Sequence, residues 1–120
     1  MKSKIISYSA GLTNIFGIGI FSKLLMNKRF GELDPLFNFN GNILIILWGF
    51  LYIFTIKTYK NPLMIIFFIE KMVYAYNFFY KNYDLTDSDL LTKIFFSIYG
   101  YIDIFFGIAF ITMYFMNLDN

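Results

Sequence analysis

Apolar residues gather along this chain into four long segments, at about residues 5–26, 42–59, 62–80 and 93–116, separated by more polar stretches. Each segment is close to the ~20 residues an α-helix needs to cross the hydrocarbon core of a bilayer. At about 100° per residue, the small and polar residues of each segment fall on one arc. Ser7, Ala10, Gly11, Asn14 and Gly17 align in the first segment, and Trp48, Tyr52, Thr55 and Tyr59 in the second. Glu70, Lys71, Tyr74 and Asn77 align in the third, and Ser97, Gly100, Asp103 and Gly107 in the fourth. Four such stripes predict one shared interior. The pattern predicts an all-α fold, a four-transmembrane-helix antiparallel bundle forming a single integral membrane domain over residues 1–120. Gly11, Gly17, Gly100 and Gly107 are expected at helix contacts, where a missing side chain lets backbones approach.

The segment ends carry their own signals. Asn61-Pro62 reads as an N-cap followed by proline at the first helical position. Gly31-Glu32-Leu33-Asp34-Pro35 breaks the chain after the first segment. Thr86-Asp87-Ser88-Asp89 supplies capping side chains and negative charge where the fourth helix begins. The first segment follows Lys2 and Lys4, yet its apolar stretch is longer than a signal-peptide core and no small-residue cleavage site follows, so it is expected to be retained. A soluble bundle would need wide polar helix faces, which the second segment lacks. Four spans would put both termini and the Lys57–Lys60 turn on one side. Lys23, Lys28, Arg29, Lys81 and Lys93 would lie on the other. Basic residues are nearly balanced between the sides, and cytoplasmic termini are the working expectation.

Composition agrees with a membrane environment. Hydrophobic residues make up 58% and charged residues 15%, against roughly 45–50% and about 25% in soluble domains. A net charge of +2 without a basic stripe gives no footprint for nucleic acid. The chain has neither Cys nor His, which excludes disulfides, thiolate zinc sites, a Cys nucleophile, histidine-ligated haem and His-based acid–base chemistry. No catalytic residue, metal-ligand set or cofactor motif stands out, and the chain is not expected to be an enzyme; a carboxylate–tyrosine set alone remains for acid–base work. Gly17-Ile18-Gly19 lacks the third glycine and the preceding strand of a dinucleotide site. The acidic run from Asp84 to Asp89 lacks the glycine and terminal glutamate of a calcium loop and reads as a helix cap.

Aromatic residues reach 23%. Together with abundant Ile, Asn and Lys and scarce Ala, Val and Arg, they match A/T-rich codon usage, and their expected place is lipid-facing or interfacial. Lys28-Arg29 with Lys23 reads as an interfacial anchor.

The sharpest feature is charge inside apolar segments: Glu70 and Lys71 near the middle of the third, Asp103 near the middle of the fourth. A central charge costs roughly 2.5–3.5 kcal/mol on insertion scales, and each Leu, Ile, Phe or Val offsets about 0.3–0.6. The third segment sets two charges against nine such residues, so it depends on its neighbours to stay inserted. Antiparallel third and fourth helices would bring Lys71 and Asp103 to one depth, with Asn14 at that level. A Lys71–Asp103 ion pair is expected, with Glu70 close to the Lys71 charge or protonated. Tyr74 and Asn77 complete the polar cluster.

Three strings, Trp48-Gly49-x-x-Tyr52, Glu70-Lys71-x-x-Tyr74 and Tyr99-Gly100-x-x-Asp103-x-x-Phe106-Gly107, resemble a group of small bacterial four-helix integral membrane proteins of uncharacterised activity. The resemblance covers the second to fourth segments. It implies the four-helix fold and a bacterial plasma (inner) membrane location, and it carries no activity. Small multidrug-resistance transporters match in size but carry their essential glutamate in the first helix, where this chain has Asn14. Fluoride channels have arginine- and asparagine-rich signatures missing here, and DoxX-like proteins share only the four-span plan.

Two functions compete. In one, Glu70, Lys71 and Asp103 lock the bundle of a multi-pass protein with an interaction or membrane-maintenance role. In the other, the same cluster binds a proton, an ion or a small solute in a transporter or channel subunit. The lipid bilayer is the expected partner, with a homo-oligomer or a second membrane protein left open.

Overall fold

The computed structural model describes residues 2–55 and 62–116. Among these the chain is all-α: α1 (Lys2–Phe21), α2 (Arg29–Leu33), α3 (Phe39–Thr55), α4 (Leu63–Tyr80) and α5 (Leu90–Met116), with a 3-10 turn at Pro35–Phe37. Among the long helices α1 packs on α3, α4 on α5, and α1 touches α5. The molecule extends 49 Å along its longest axis. Asn61 and the Lys57–Lys60 turn lie outside the described residues, as does Tyr59.

Among the described residues two helices, α4 and α5, are long and apolar enough to cross a membrane. α3 is apolar but shorter, and α1, with Asn14 and its serines, falls below the same measure. The outward faces of all four are nevertheless greasy. Leu12, Phe16 and Ile20 on α1, Leu44, Leu47 and Phe54 on α3, and Ile69, Val73, Phe105 and Ile108 on α4 and α5 are all exposed.

Glycine sets the α1–α3 crossing. A Cβ on Gly11 would stand 2.5 Å from the Gly49 carbonyl oxygen, and one on Gly49 would stand 2.7 Å from the Gly11 oxygen. Gly100 and Gly107 do the same between α5 and α4, meeting the Phe78 ring and the Met72 and Lys71 side chains. Gly17 does not belong with them. A Cβ there would meet nothing within 4 Å, because this turn of α1 faces a cavity. Ser97 also departs from its expected place: it is exposed and donates to the Lys93 carbonyl at 2.7 Å. It lies about 120° round the helix from Asp103, outside the buried arc.

The first helix ends earlier than its apolar run. After Phe21 the chain passes through Lys23, Leu24 and Leu25 with φ of 53°, 57° and 72°, a left-handed turn that β-carbons disfavour by roughly 1–2 kcal/mol per residue. Contacts offset that strain. Ser22 is buried and its hydroxyl donates to the Ile18 carbonyl, Lys23 pairs with Asp89, and Leu25 packs on an aromatic core.

That core corrects the expectation for the aromatics. Phe30, Phe37, Phe95, Phe96 and Tyr99 are buried together under α2 and the 3-10 turn. Phe37 meets Phe95, Phe96 and Tyr99 edge-on with ring centroids 5.0, 5.5 and 4.8 Å away, a geometry that suits the ring quadrupoles. A second cluster, built on Tyr52, Phe67, Phe110 and Met113, packs between α3, α4 and α5.

The segments that join helices at the Phe37 end are tied together. Arg29 donates to Ser88 Oγ (3.1 Å) and to the carbonyls of Asp84 and Thr86 (2.9 and 3.1 Å). Asn27 donates to Thr92 Oγ1 at 2.8 Å. Lys23 and Arg29 therefore clamp the 81–89 connection, which is a more specific role than surface anchoring. Asp89 accepts from the Thr92 amide at 2.9 Å and caps α5 as the sequence predicts.

Candidate functional site: a charged cluster on a half-open pocket

Lys71 sits at the meeting point of the four long helices. Its side chain is 2% exposed. From α4 its ammonium donates to Asn14 Oδ1 of α1 at 2.9 Å and to Asp103 Oδ1 of α5 at 3.3 Å. It also lies 5.1 Å from the centre of the Tyr52 ring of α3, within range of a cation–π attraction. Asn14 is held in turn by donating Nδ2 to the Ile45 carbonyl at 3.1 Å. Gly107 leaves room for the Lys71 stem to pass. The spacing of polar positions brings Asn14, Lys71 and Asp103 together because each lies near the middle of its helix.

Glu70 points elsewhere. It accepts a hydrogen bond from the Tyr52 hydroxyl, so α3 and α4 are joined at this level. Each of the two carboxylates thus uses one oxygen. Among the described residues, Glu70 Oε2 and Asp103 Oδ2 have no protein partner.

Both carboxylates line a half-open pocket of about 90 Å³ between α1, α4 and α5. That is room for several waters or one small solute. Thr13, Asn14 and Gly17 of α1 form one wall and Ile98, Ile102 and Asp103 of α5 another, with Glu70, Lys71 and Tyr74 behind. Aromatic rings of Phe21, Phe37, Phe95 and Tyr99 close the end beneath the 3-10 turn. With both acids ionised the lining carries one net negative charge, two carboxylates against one ammonium.

Asn77 stands apart from this cluster. It is six residues beyond Lys71, about 9 Å further along the axis, and it belongs to a second polar group that the sequence did not reveal. Its centre is Asp34, wholly buried. Asp34 Oδ1 accepts from the Leu36 amide (3.0 Å) and from Lys81 (3.1 Å), while Oδ2 accepts from Asn77 and from Tyr83, both at 2.5 Å. Burial alone would raise the Asp34 pKa; the hydrogen bonds from Tyr83, Leu36, Asn77 and Lys81 outweigh it and hold the carboxyl below its ordinary value. Burial pushes the Tyr83 hydroxyl up, and its bonds to Asp34 and Tyr99 push it further. In sequence Asp34 shows only as a turn former before Pro35, and Tyr83 as one tyrosine in a polar connection.

No group of acids able to hold a metal ion occurs among the described residues. Of the remaining stripe residues, Ser7 is buried with its hydroxyl unpartnered by protein. Comparison with family models, with curated proteins and with solved structures finds no match to this chain.

Proposed function

We propose that this is a multi-pass membrane protein whose four long helices cross the bilayer and whose central cavity binds a proton or a small cationic solute at Glu70 and Asp103, as a transporter or channel subunit would. The carrying observation is that Glu70 and Asp103, each with one oxygen unpartnered by the described protein atoms, line the same half-open pocket. A cluster serving only to lock helices gains nothing from a cavity beside it, since empty volume removes packing contacts. Outward greasy faces and inward charge support the bilayer as surrounding solvent, and a bacterial inner membrane is the setting the motif resemblance implies.

The chemistry follows from the lining. Lys71 is a fixed cation that holds Asp103 by one oxygen and leaves the other free. Glu70, tied to Tyr52, offers a second free oxygen across the same space. A proton or an ammonium-type solute arriving there neutralises the excess negative charge, and the aromatic end wall suits an apolar or cationic group.

A second reading has its own observation. Lys71 is bonded from α1 and α5 and covered by a ring of α3, the arrangement of a lock that fixes helix register. The two readings separate in one experiment. Asp103→Asn and Glu70→Gln, reconstituted in liposomes, should fold as the parent does and lose proton or organic-cation uptake. If uptake is absent in the parent, and the variants differ from it only in thermal stability, the lock is the whole role.

A further inference from the structure

The two polar groups are joined. Tyr83 Oη, which donates to Asp34 at 2.5 Å, lies 2.6 Å from Tyr99 Oη. Asn77 Nδ2 sits 3.2 Å from one hydroxyl and 3.1 Å from the other, bracing both. Tyr99 in turn lines the cavity with Asp103, four residues and about one turn further along α5. At the outer end Lys81, whose side chain is 36% exposed, touches Asp34. A series of hydrogen-bonded groups therefore runs from Lys81 at the surface through Asp34 and Tyr83 to Tyr99, which lines the pocket that holds Glu70 and Asp103.

The other end of the molecule has nothing comparable among the described residues. There the hydroxyl of Tyr52 reaches Glu70, but the rest of its surroundings is Met64, Phe67, Phe110 and Met113. Among the described residues, the hydrogen-bonded polar approach to the pocket carboxylates is the one through Asp34, Tyr83 and Tyr99.

We infer that Asp34, Tyr83 and Tyr99 form a one-sided proton inlet, linking the membrane face that carries residues 22–38 and 81–89 to the cavity carboxylates. This rests on the reading that those carboxylates exchange a proton. In the inward step a solvent proton binds Asp34 Oδ2, and the new acid O–H gives it to the Tyr83 oxygen as Tyr83 releases its own proton to Tyr99. Tyr99 then releases its proton to a cavity water or carboxylate. One proton enters and one leaves, both phenols end neutral with turned hydroxyls, and Glu70 or Asp103 ends as the acid. The charged and titratable groups facing the path are Lys81 and Tyr83 of the connection and Tyr99 of α5, braced by the neutral amide of Asn77 of α4. Those facing its inner end are Glu70, Lys71 and Tyr74 of α4 and Asp103 of α5, with the neutral amide of Asn14 of α1 beside Lys71. The high Tyr83 and low Asp34 pKa values keep the resting chain as neutral phenol donating to carboxylate.

The test uses the full chain in liposomes sorted by orientation. A pH jump is applied to one face, and the infrared carbonyl band of protonated buried carboxyls is followed in time, with Glu70→Gln and Asp103→Asn identifying the band. The expected result is fast protonation after a jump on the 81–89 face, slow protonation from the opposite face, and slowing by about tenfold or more in Tyr83→Phe and Tyr99→Phe with the amplitude kept. Asp34→Asn should slow it likewise if either phenylalanine variant loses its helical circular dichroism. Tyr101→Phe, exposed and off the path, should keep the parent rate. Parent rates in folded Tyr83→Phe, Tyr99→Phe or Asp34→Asn overturn the inlet while leaving the cavity reading intact. A parent that shows no such band from either face overturns the cavity reading and the inlet with it.

Discussion

Gly11 and Gly49 face each other where α1 crosses α3, so close that a Cβ on either would intrude on the other's carbonyl oxygen. Backbone cannot retreat as a flexible side chain does, so Gly11→Ala and Gly49→Ala should each destabilise the bundle, by about 1–3 kcal/mol for a forced separation. Gly17→Ala, facing open space in the same helix, should leave stability near the parent and serves as the control. Thermal unfolding in detergent reads all three, and equal midpoints would show that the crossing is loose.

Lys71 and Asp103 should behave as a coupled pair. Lys71→Met leaves Asp103 buried without its cation and should cost about 3–5 kcal/mol, the usual penalty for breaking a buried pair from one side. Asp103→Asn keeps an oxygen toward the ammonium and should cost less. The double variant should recover part of the Lys71→Met loss. Simple addition of the two single losses in chemical unfolding would show that the 3.3 Å contact carries no coupling.

The convergence of Asn14, Lys71 and Asp103 was legible because helical spacing, antiparallel order and mid-segment position together determine depth. The three motif strings also gather on that interior: Gly49 sits at the α1–α3 crossing, Tyr52 on Glu70, Tyr99 and Asp103 on the cavity. What escaped the sequence was whatever depends on the connections. Nothing at Phe21 signals a helix end, since the left-handed residues that follow are Lys and Leu rather than Gly. Asp34 reads as a surface turn residue until α2 and the 3-10 turn fold over the bundle end and bury it. The crossing of four full-length spans was also more than helix length shows, since among the described residues only α4 and α5 meet that measure by length and composition.

Asp34 makes stability depend on pH in a stated direction. Its folded pKa lies below the ordinary value of 3.8, so the folded state binds this proton less readily than the unfolded chain. The stabilisation is fully present above the unfolded value and is lost as pH falls through the folded one. Thermal midpoints measured from neutral pH downward should fall through this acid window, and Asp34→Asn should flatten that part of the curve. An unchanged acid limb in the variant would place the pH dependence on other carboxylates.

Phe37 anchors the connection that covers the cavity end, being only 2% exposed and ringed by Phe95, Phe96 and Tyr99. Phe37→Ala should cost about 3–5 kcal/mol, as for other buried phenylalanines. It should also make residues 22–38 more accessible to protease while leaving the α1–α3 crossing in place. Limited proteolysis beside unfolding curves distinguishes this from general loosening, in which cleavage would appear throughout the chain.

Asp89 has two roles that substitution can separate. Its Oδ1 caps α5 through the Thr92 amide, and its carboxylate pairs with Lys23 across the chain turn that follows α1. Asp89→Ala removes both and should cost about 1 kcal/mol or somewhat more, in the range for a lost N-cap. Asp89→Asn retains a capping oxygen and removes only the charge. Because both partners of the ion pair are well exposed, such a pair contributes little and salt screens it further. The asparagine variant should therefore unfold close to the parent, and the alanine variant clearly below it. Equal losses in the two would mean that the Lys23 pairing, and not the cap, holds the start of α5 in place.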